Sequence, residues 1–499
     1  MAFQRASGIL LHPTCLPGRF GIGDLGTAAY QFIDFLELGG QKLWQVLPLG
    51  PTGIEHSPYI MNFSSFAGNP LLIDLDQLAT EGLLEAEKLT SLPNTTDAAY
   101  ARVDFSQVIP HKFKYLHQAF ERFQPDETYQ QFCQEQAWWL DDYVLFIALF
   151  EANNQLPWNK WDADLVRRDP KALADAAAKL SVEIKFHRFL QFKFFEQWGK
   201  LRAYANGKGI QIVGDISIYV CHNSSDVWAA PDMFKLDPQT YEPAFMAGVP
   251  PDYFSATGQL WGNPVYDWEK MEQANFAWWV NRFKATLLYV DIVRIDHFRG
   301  FEAYWQVPGG ETTALNGEWV KGPDAKFFEV LKAALGSLPV MAEDLGVITP
   351  EVELLRDRFE FPGMKILQFA FGGGADNLYL PHHYIQNSVV YPGTHDNDTA
   401  LGWWNSTGDA EKWHVAEYFG YSDPGDLKQI NWEFIRTALA SVSDLAILPL
   451  QDLLGLDGRA RMNDPRFNDG QWRWRFTDSS LLSPELGEQL RRLTQMYSR

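Results

Sequence analysis

Short apolar runs recur along the chain, each closing on polar or turn residues, most with an amphipathic stretch before it. The clearest are Leu43–Leu49 (LWQVLPL), Ile210–Val220 (IQIVGDISIYV), Val290–His297 (VDIVRIDH), Leu338–Leu345 (LPVMAEDL), Lys365–Phe371 (KILQFAF), Ser388–Thr394 (SVVYPGT) and Leu445–Leu450 (LAILPL). Runs that are apolar at nearly every position predict strands buried on both faces, as in a parallel sheet. Apolar residues at helical spacing predict helices over Phe186–Ala205, Phe276–Tyr289 and Phe327–Ala334, each leading into a strand. Such alternation indicates an α/β fold. Seven strong strands and a weaker eighth at Pro70–Leu75 (PLLIDL) suit a (β/α)8 TIM barrel. A doubly wound open sheet is the alternative, but no GxxxxGK[ST] phosphate loop occurs. Two interruptions read as insertions: about 80–200, mostly helical, and about 224–268, a loop-rich stretch of Pro, Gly, Tyr and Trp directly after a strand end. In a barrel, that end is where loops build the active site.

Length and composition narrow the classes. A barrel with insertions accommodates 499 residues. No apolar run reaches the length of a membrane span, and the N-terminus lacks the pattern of a secretory signal. Cys15, Cys133 and Cys221 are widely spaced and odd in number, which fits free thiols in a reducing cytoplasm. The net charge of −21 disfavours nucleic acid and anionic membrane as partners and leaves a neutral substrate open. The 19 Trp then become informative, because flat apolar faces with a polar edge suit sugar rings.

Asp215, Asp296, Glu343 and Asp396 stand at or just beyond predicted strand ends. Buried carboxylates are costly unless paired or functional. A close pair can cleave a glycosidic bond, one acid protonating the leaving oxygen and the other attacking carbon when the two lie about 5–5.5 Å apart. Clustered acids could instead bind a metal. Arg294 opposes that use, since positions 294 and 296 of a strand share a face and a guanidinium would compete with a cation. The segment Gly248–Trp268 carries Tyr253, Phe254, Trp261 and Tyr266 between Pro and Gly hinges and reads as a lid that keeps water from a covalent intermediate.

RIDHFRG, AEDLGVITPEV and GTHDNDTALGWW resemble the strand-end regions of the 4-α-glucanotransferases (amylomaltases, or disproportionating enzymes) of the α-amylase superfamily. GILLHPTCLPGRFGIGDLG, WQVLPLGPTG, SPY, SSFAGNPLLIDL, GDISIYV, SSDVWA, GVPPDYFSATGQLWGNPVYDW and QDLLGLDGRARMNDP extend the resemblance from about residue 8 to about 475. It implies one catalytic barrel over 1–499 without a separate C-terminal β-domain. It implies Asp296 as nucleophile, Glu343 as general acid/base and Asp396 as transition-state stabiliser. Tyr59, Asp215, Arg294 and His395 would position the sugar at the cleaved subsite, with Gln259, Trp261 and Asn463 along the donor or acceptor path and Tyr253 as a further substrate contact. The reaction it implies moves α-1,4-glucan segments to the 4-hydroxyl of an acceptor glucan, a maltooligosaccharide or glucose, with no organic cofactor and no catalytic metal. Ile54 departs from the family, many of whose members carry Tyr there, so a remote glucan-binding groove is expected to work poorly. An α-glucan hydrolase shares the same chemistry. A glucan-binding scaffold would be expected to lack one of the three acids, and all are present.

Overall fold

The computed structural model describes residues 3–53, 56–59, 62–93, 97–251, 255–467 and 469–499. Eight parallel strands close into a barrel: β1 (Ala6–Leu10), β2 (Leu43–Gln45), β3 (Gln211–Ile216), β4 (Ile292–Ile295), β5 (Val340–Ala342), β6 (Gly363–Ile366), β7 (Ser388–Tyr391) and β8 (Leu445–Pro449). Each strand pairs with its neighbours in sequence, and β1 returns to β8 with Ala6 opposite Leu445 and Ile9 opposite Leu448. The strands are almost wholly buried, as their unbroken apolar character requires.

The first strand is Ala6–Leu10, and the expected strand at Pro70–Leu75 is not one. Asn69 accepts the Leu71 N–H, Pro70 fixes the next φ, and Pro70–Leu72 winds into a 3-10 turn; extended Ile73 and Asp74 separate it from the helix Leu75–Thr80, which Asp74 caps. The strand Ala6–Leu10 is inconspicuous because five residues containing Ser and Gly make a weak apolar run. Its glycine is required: a Cβ on Gly8 would stand 2.3 Å from the Leu43 carbonyl oxygen of β2.

The connection from β2 to β3 is the long one. Helices Phe105–Arg122, Glu127–Ala152 and Ser181–Gly207 lie in it, the first two capped by the carboxylates of Asp104 and Asp126. The last two pack through aromatic side chains, Trp139 against Phe195 among them. The stretch 224–268, expected to be loop-rich, contains two strands. Phe245–Val249 and Gln259–Pro264 form an antiparallel sheet with Ala303–Pro308 and Glu318–Lys321. Glycines hide the alternation of FMAGV and QLWGNP, yet Gly248 is what lets the Gln259 carbonyl approach, since a Cβ there would meet it at 2.4 Å. Tyr253 and Phe254, within the segment expected to be a lid, lie outside the described residues, as does Ile54.

Between β1 and the helix Thr27–Leu38, the run Gly21–Gly26 (GIGDLG) has the spacing of a dinucleotide loop. The protein's own carboxylate occupies that helix end. Asp24 accepts the Gly26 N–H at 3.2 Å and pairs at 3.3 Å with Lys112, whose side chain is fully buried. After β8 come the short helix Leu450–Leu453, a two-residue strand, Trp474–Arg475, paired with Ala101–Arg102, and the helix Pro484–Met496. No helix among the described residues is long and apolar enough to cross a membrane.

Candidate active site

The C-terminal ends of the barrel strands converge on one polar cluster. Asp215 lies on β3 and Arg294 on β4, directly opposite each other in the ladder. Asp296 and Glu343 follow the last paired residues of β4 and β5. The Asp296 N–H reaches the Ile216 carbonyl (2.9 Å) and the Glu343 N–H reaches that of Ile295 (3.0 Å), so both acids leave the barrel at a fixed height. Arg294 sits between two carboxylates, 2.6 Å from Asp215 Oδ2 and 3.0 Å from Asp296 Oδ1. Burial works against its charge, but Asp215 and Asp296 outweigh that and hold its pKa well above the ordinary value. Burial pushes Asp215 up to about 7 against the pull of Arg294.

Glu343 is in the opposite condition. Its carboxyl accepts the backbone N–H groups of His297 (2.7 Å) and Leu345 (2.9 Å). Burial first, and the charge of Asp296 second, nevertheless raise its pKa to about 8, with Arg294 and the two N–H donors opposing. It therefore stands protonated at neutral pH beside an acid that is paired with a guanidinium. Opposed environments for two neighbouring carboxyls are the usual means of giving one the role of proton donor and the other that of nucleophile. His297 reaches Glu343 because its backbone is left-handed, at φ 52°, a conformation uncommon outside glycine.

The wall opposite is aromatic. The Tyr59 hydroxyl donates to Asp215 Oδ2 at 2.8 Å, and its ring lies parallel to His395, 5.1 Å away with 8° between the planes. Burial lowers the pKa of His395, although Asp396 pulls the other way. Asp396 extends from the loop after β7, its side chain 45 % exposed, and accepts the Asn463 amide at 2.6 Å. Trp261 lies edge-on to His297 at 4.9 Å, and its indole N–H meets Gln259 Oε1 at 3.3 Å. The structure thus brings together Tyr59, Asp215, Arg294, Asp296, Glu343, His395, Asp396 and Asn463, with Gln259 and Trp261 on the adjoining sheet.

Three neighbours escaped sequence reasoning. His297 appears there only as the residue after Asp296. Trp472 packs on both Tyr59 (5.6 Å) and His395 (5.7 Å) from an irregular segment with no periodicity to flag it. Arg461 donates to the carbonyl of Asp396 and lies two residues before Asn463 in RARMNDP, where only the asparagine was singled out.

The family model described as 4-alpha-glucanotransferase matches residues 11–481. A 4-alpha-glucanotransferase of Synechocystis sp. is 53 % identical, the alignment covering 100 % of this chain and 99 % of the relative. One of Thermus thermophilus is 47 % identical over 100 % of both. Among solved structures, the amylomaltase of Streptococcus agalactiae in complex with acarbose superposes with a TM-score of 0.94 at 38 % identity, covering 99 % of this chain and 100 % of that one.

Proposed function

The chain belongs to the 4-alpha-glucanotransferase family, and from that premise we propose how its own residues carry out the transfer. The chain is a single catalytic barrel over 1–499 and acts on α-1,4-glucans and maltooligosaccharides. Glu343 gives its proton to the glycosidic oxygen as the Asp296 carboxylate attacks the anomeric carbon. The carbon–oxygen bond breaks, the reducing-end segment leaves with a new 4-hydroxyl, and a glycosyl–Asp296 ester forms. Glu343, now ionised, takes the proton of an acceptor 4-hydroxyl, whose oxygen attacks the ester carbon and releases Asp296. Two inversions give net retention.

Asp396 faces the positive charge that develops on the sugar ring. Tyr59, Asp215, Arg294 and His395 bind and orient the ring in the cleaved subsite. Gln259, Trp261 and Asn463 line the path of the leaving and arriving chains, and Tyr253 is assigned as a further substrate contact. Every step uses carboxyl chemistry, and the reading assigns no role to a metal or organic cofactor. The observation that carries it is the unequal pair: Glu343 raised to about 8 next to an Asp296 bound to Arg294. The chain works in the cytoplasm, a reading supported by three cysteines without a disulfide.

Hydrolysis on the same barrel would share the ester and differ only in the acceptor. Incubation with maltotriose tests both readings. A ladder of longer maltooligosaccharides plus glucose supports transfer. Maltose and glucose alone support hydrolysis, and unchanged maltotriose would overturn both.

A further inference from the structure

Asp396 is the most exposed of the three acids assigned to the reaction, and it projects from a loop rather than a strand. Among the described residues its carboxylate meets the Asn463 amide at 2.6 Å and His395 Nε2 at 3.5 Å. An exposed carboxylate that must face a developing charge needs its orientation fixed from outside. Asn463 can do that only if it is itself fixed relative to the Asp396 backbone. One side chain meets both requirements.

The Arg461 guanidinium donates through Nη2 to the Asp396 carbonyl and through Nε to the Asn463 carbonyl at 2.7 Å, while Nη1 lies 3.0 Å from Asp464 Oδ2. A backbone bond from the Asn463 N–H to the His395 carbonyl (3.1 Å) runs alongside. The Asp464 carboxylate is held in turn by Arg466 (2.6 Å), and the Asp464 backbone N–H donates to the Gln471 side-chain oxygen (2.8 Å). We infer that Arg461 is a positioning residue: it locks the loop after β7 to the loop after β8 and so sets the angle of the Asp396 carboxylate. The inference rests on the reading of Asp396 as transition-state stabiliser. A planar fork serves three divergent acceptors at once. An ammonium is a point charge and cannot, so Arg461→Lys should behave like Arg461→Met.

The test is a cycle of Arg461→Met, Arg461→Lys, Asp396→Asn and the double variant Arg461→Met/Asp396→Asn. It is assayed by transfer from maltotriose and by fluoride release from α-maltotriosyl fluoride, with thermal unfolding followed in parallel. Misplacing a reacting group by about 1 Å can cost roughly 100-fold. Both Arg461 variants should therefore lose roughly 10- to 100-fold in kcat, with KM for maltotriose within about threefold of the parent. In the Asp396→Asn background the further loss should vanish, because the carboxylate that Arg461 aims is no longer there. Full activity in Arg461→Met, restoration by lysine, or an undiminished loss in the Asp396→Asn background would each overturn the inference while leaving the assignment of Asp396 intact. Near-parental activity of Asp396→Asn would overturn that assignment, and the inference with it. If Arg461→Met proves too unstable to assay, the lysine variant and its double with Asp396→Asn carry the same comparison.

Discussion

Replacing Glu343 with Gln tests the electrostatics of the site in two independent ways. Glutamate ordinarily titrates at 4.5 and here does so at about 8. That difference corresponds to about 5 kcal/mol in favour of the protonated form. At pH 7 the acid outnumbers its anion roughly ten to one, whereas in water the anion would dominate by roughly 300 to one. Transfer should therefore be flat near pH 7 and fall about tenfold per pH unit above 8. Glutamine cannot donate the proton, so maltotriose should react roughly 10²–10⁴-fold more slowly. The fluoride of α-maltotriosyl fluoride departs without protonation, so this donor should still load its maltotriosyl group onto Asp296, giving one equivalent of fluoride and an intact-mass increase.

That burst should have no limb near 8. Stability supplies the second readout. The folded-state pKa is raised, so the folded protein holds the proton more tightly. Its penalty is absent below about 4.5, grows with rising pH, and is complete above about 8. Glutamine removes that penalty. It also offers one acceptor to two backbone donors, from His297 and Leu345, which forfeits about 1–2 kcal/mol. The variant should be less stable than its parent at pH 5 and more stable by about 3 kcal/mol at pH 9. The same stability difference at both pH values, or a fluoride donor as inert as maltotriose, would refute the reasoning.

Asp296→Ala should lose several orders of magnitude in transfer, because the nucleophile is gone; near-parental rates by chromatography would contradict its role. Trp261→Ala should raise the ratio of hydrolysis to transfer. An acceptor must outcompete water at about 55 M, which needs the high effective concentration that only positioning supplies. Released reducing ends measured against transferred glucose give that ratio, and an unchanged value would remove Trp261 from the acceptor path. Lys112→Met should lower stability by about 3–5 kcal/mol by stranding the buried Asp24. Burial already raises the Asp24 pKa, so the loss should shrink as pH falls and the stranded carboxylate takes up a proton, and a parental thermal midpoint at pH 8 would be the contrary result.

Most of the barrel is legible because parallel strands buried on both faces leave long apolar runs in the chain. Six of the eight strands lie within such runs and β6 overlaps its run from Lys365, although the ladder of β2 stops at Gln45, well short of the apolar stretch to Leu49. Ala6–Leu10 was missed because Ser7 and Gly8 dilute its pattern, and Pro70–Leu75 misled because an apolar run says nothing about the Asn–Pro cap that bends it. The acids could be located because Asp215, Asp296 and Glu343 interrupt such runs and Asp396 closely follows one. Arg461 and Trp472 belong to the irregular stretch after β8, where no period exists to read, and their proximity to Asp396 and Tyr59 is a property of loop packing alone.

The pairing of β1 with β8 also sets the order in which this chain can be built. Ala6 finds its partner Leu445 only after nearly all the polypeptide has been made, so through most of synthesis β1 presents an open, apolar edge of the kind that invites association with other chains. Loop closure over such a distance is slow relative to local helix formation. The helices Phe105–Arg122, Glu127–Ala152 and Ser181–Gly207 can pair with one another long before the ring is complete. A nascent chain halted before residue 445 is thus expected to be partly helical yet prone to aggregation, with the release of that hazard timed by the emergence of a single five-residue strand.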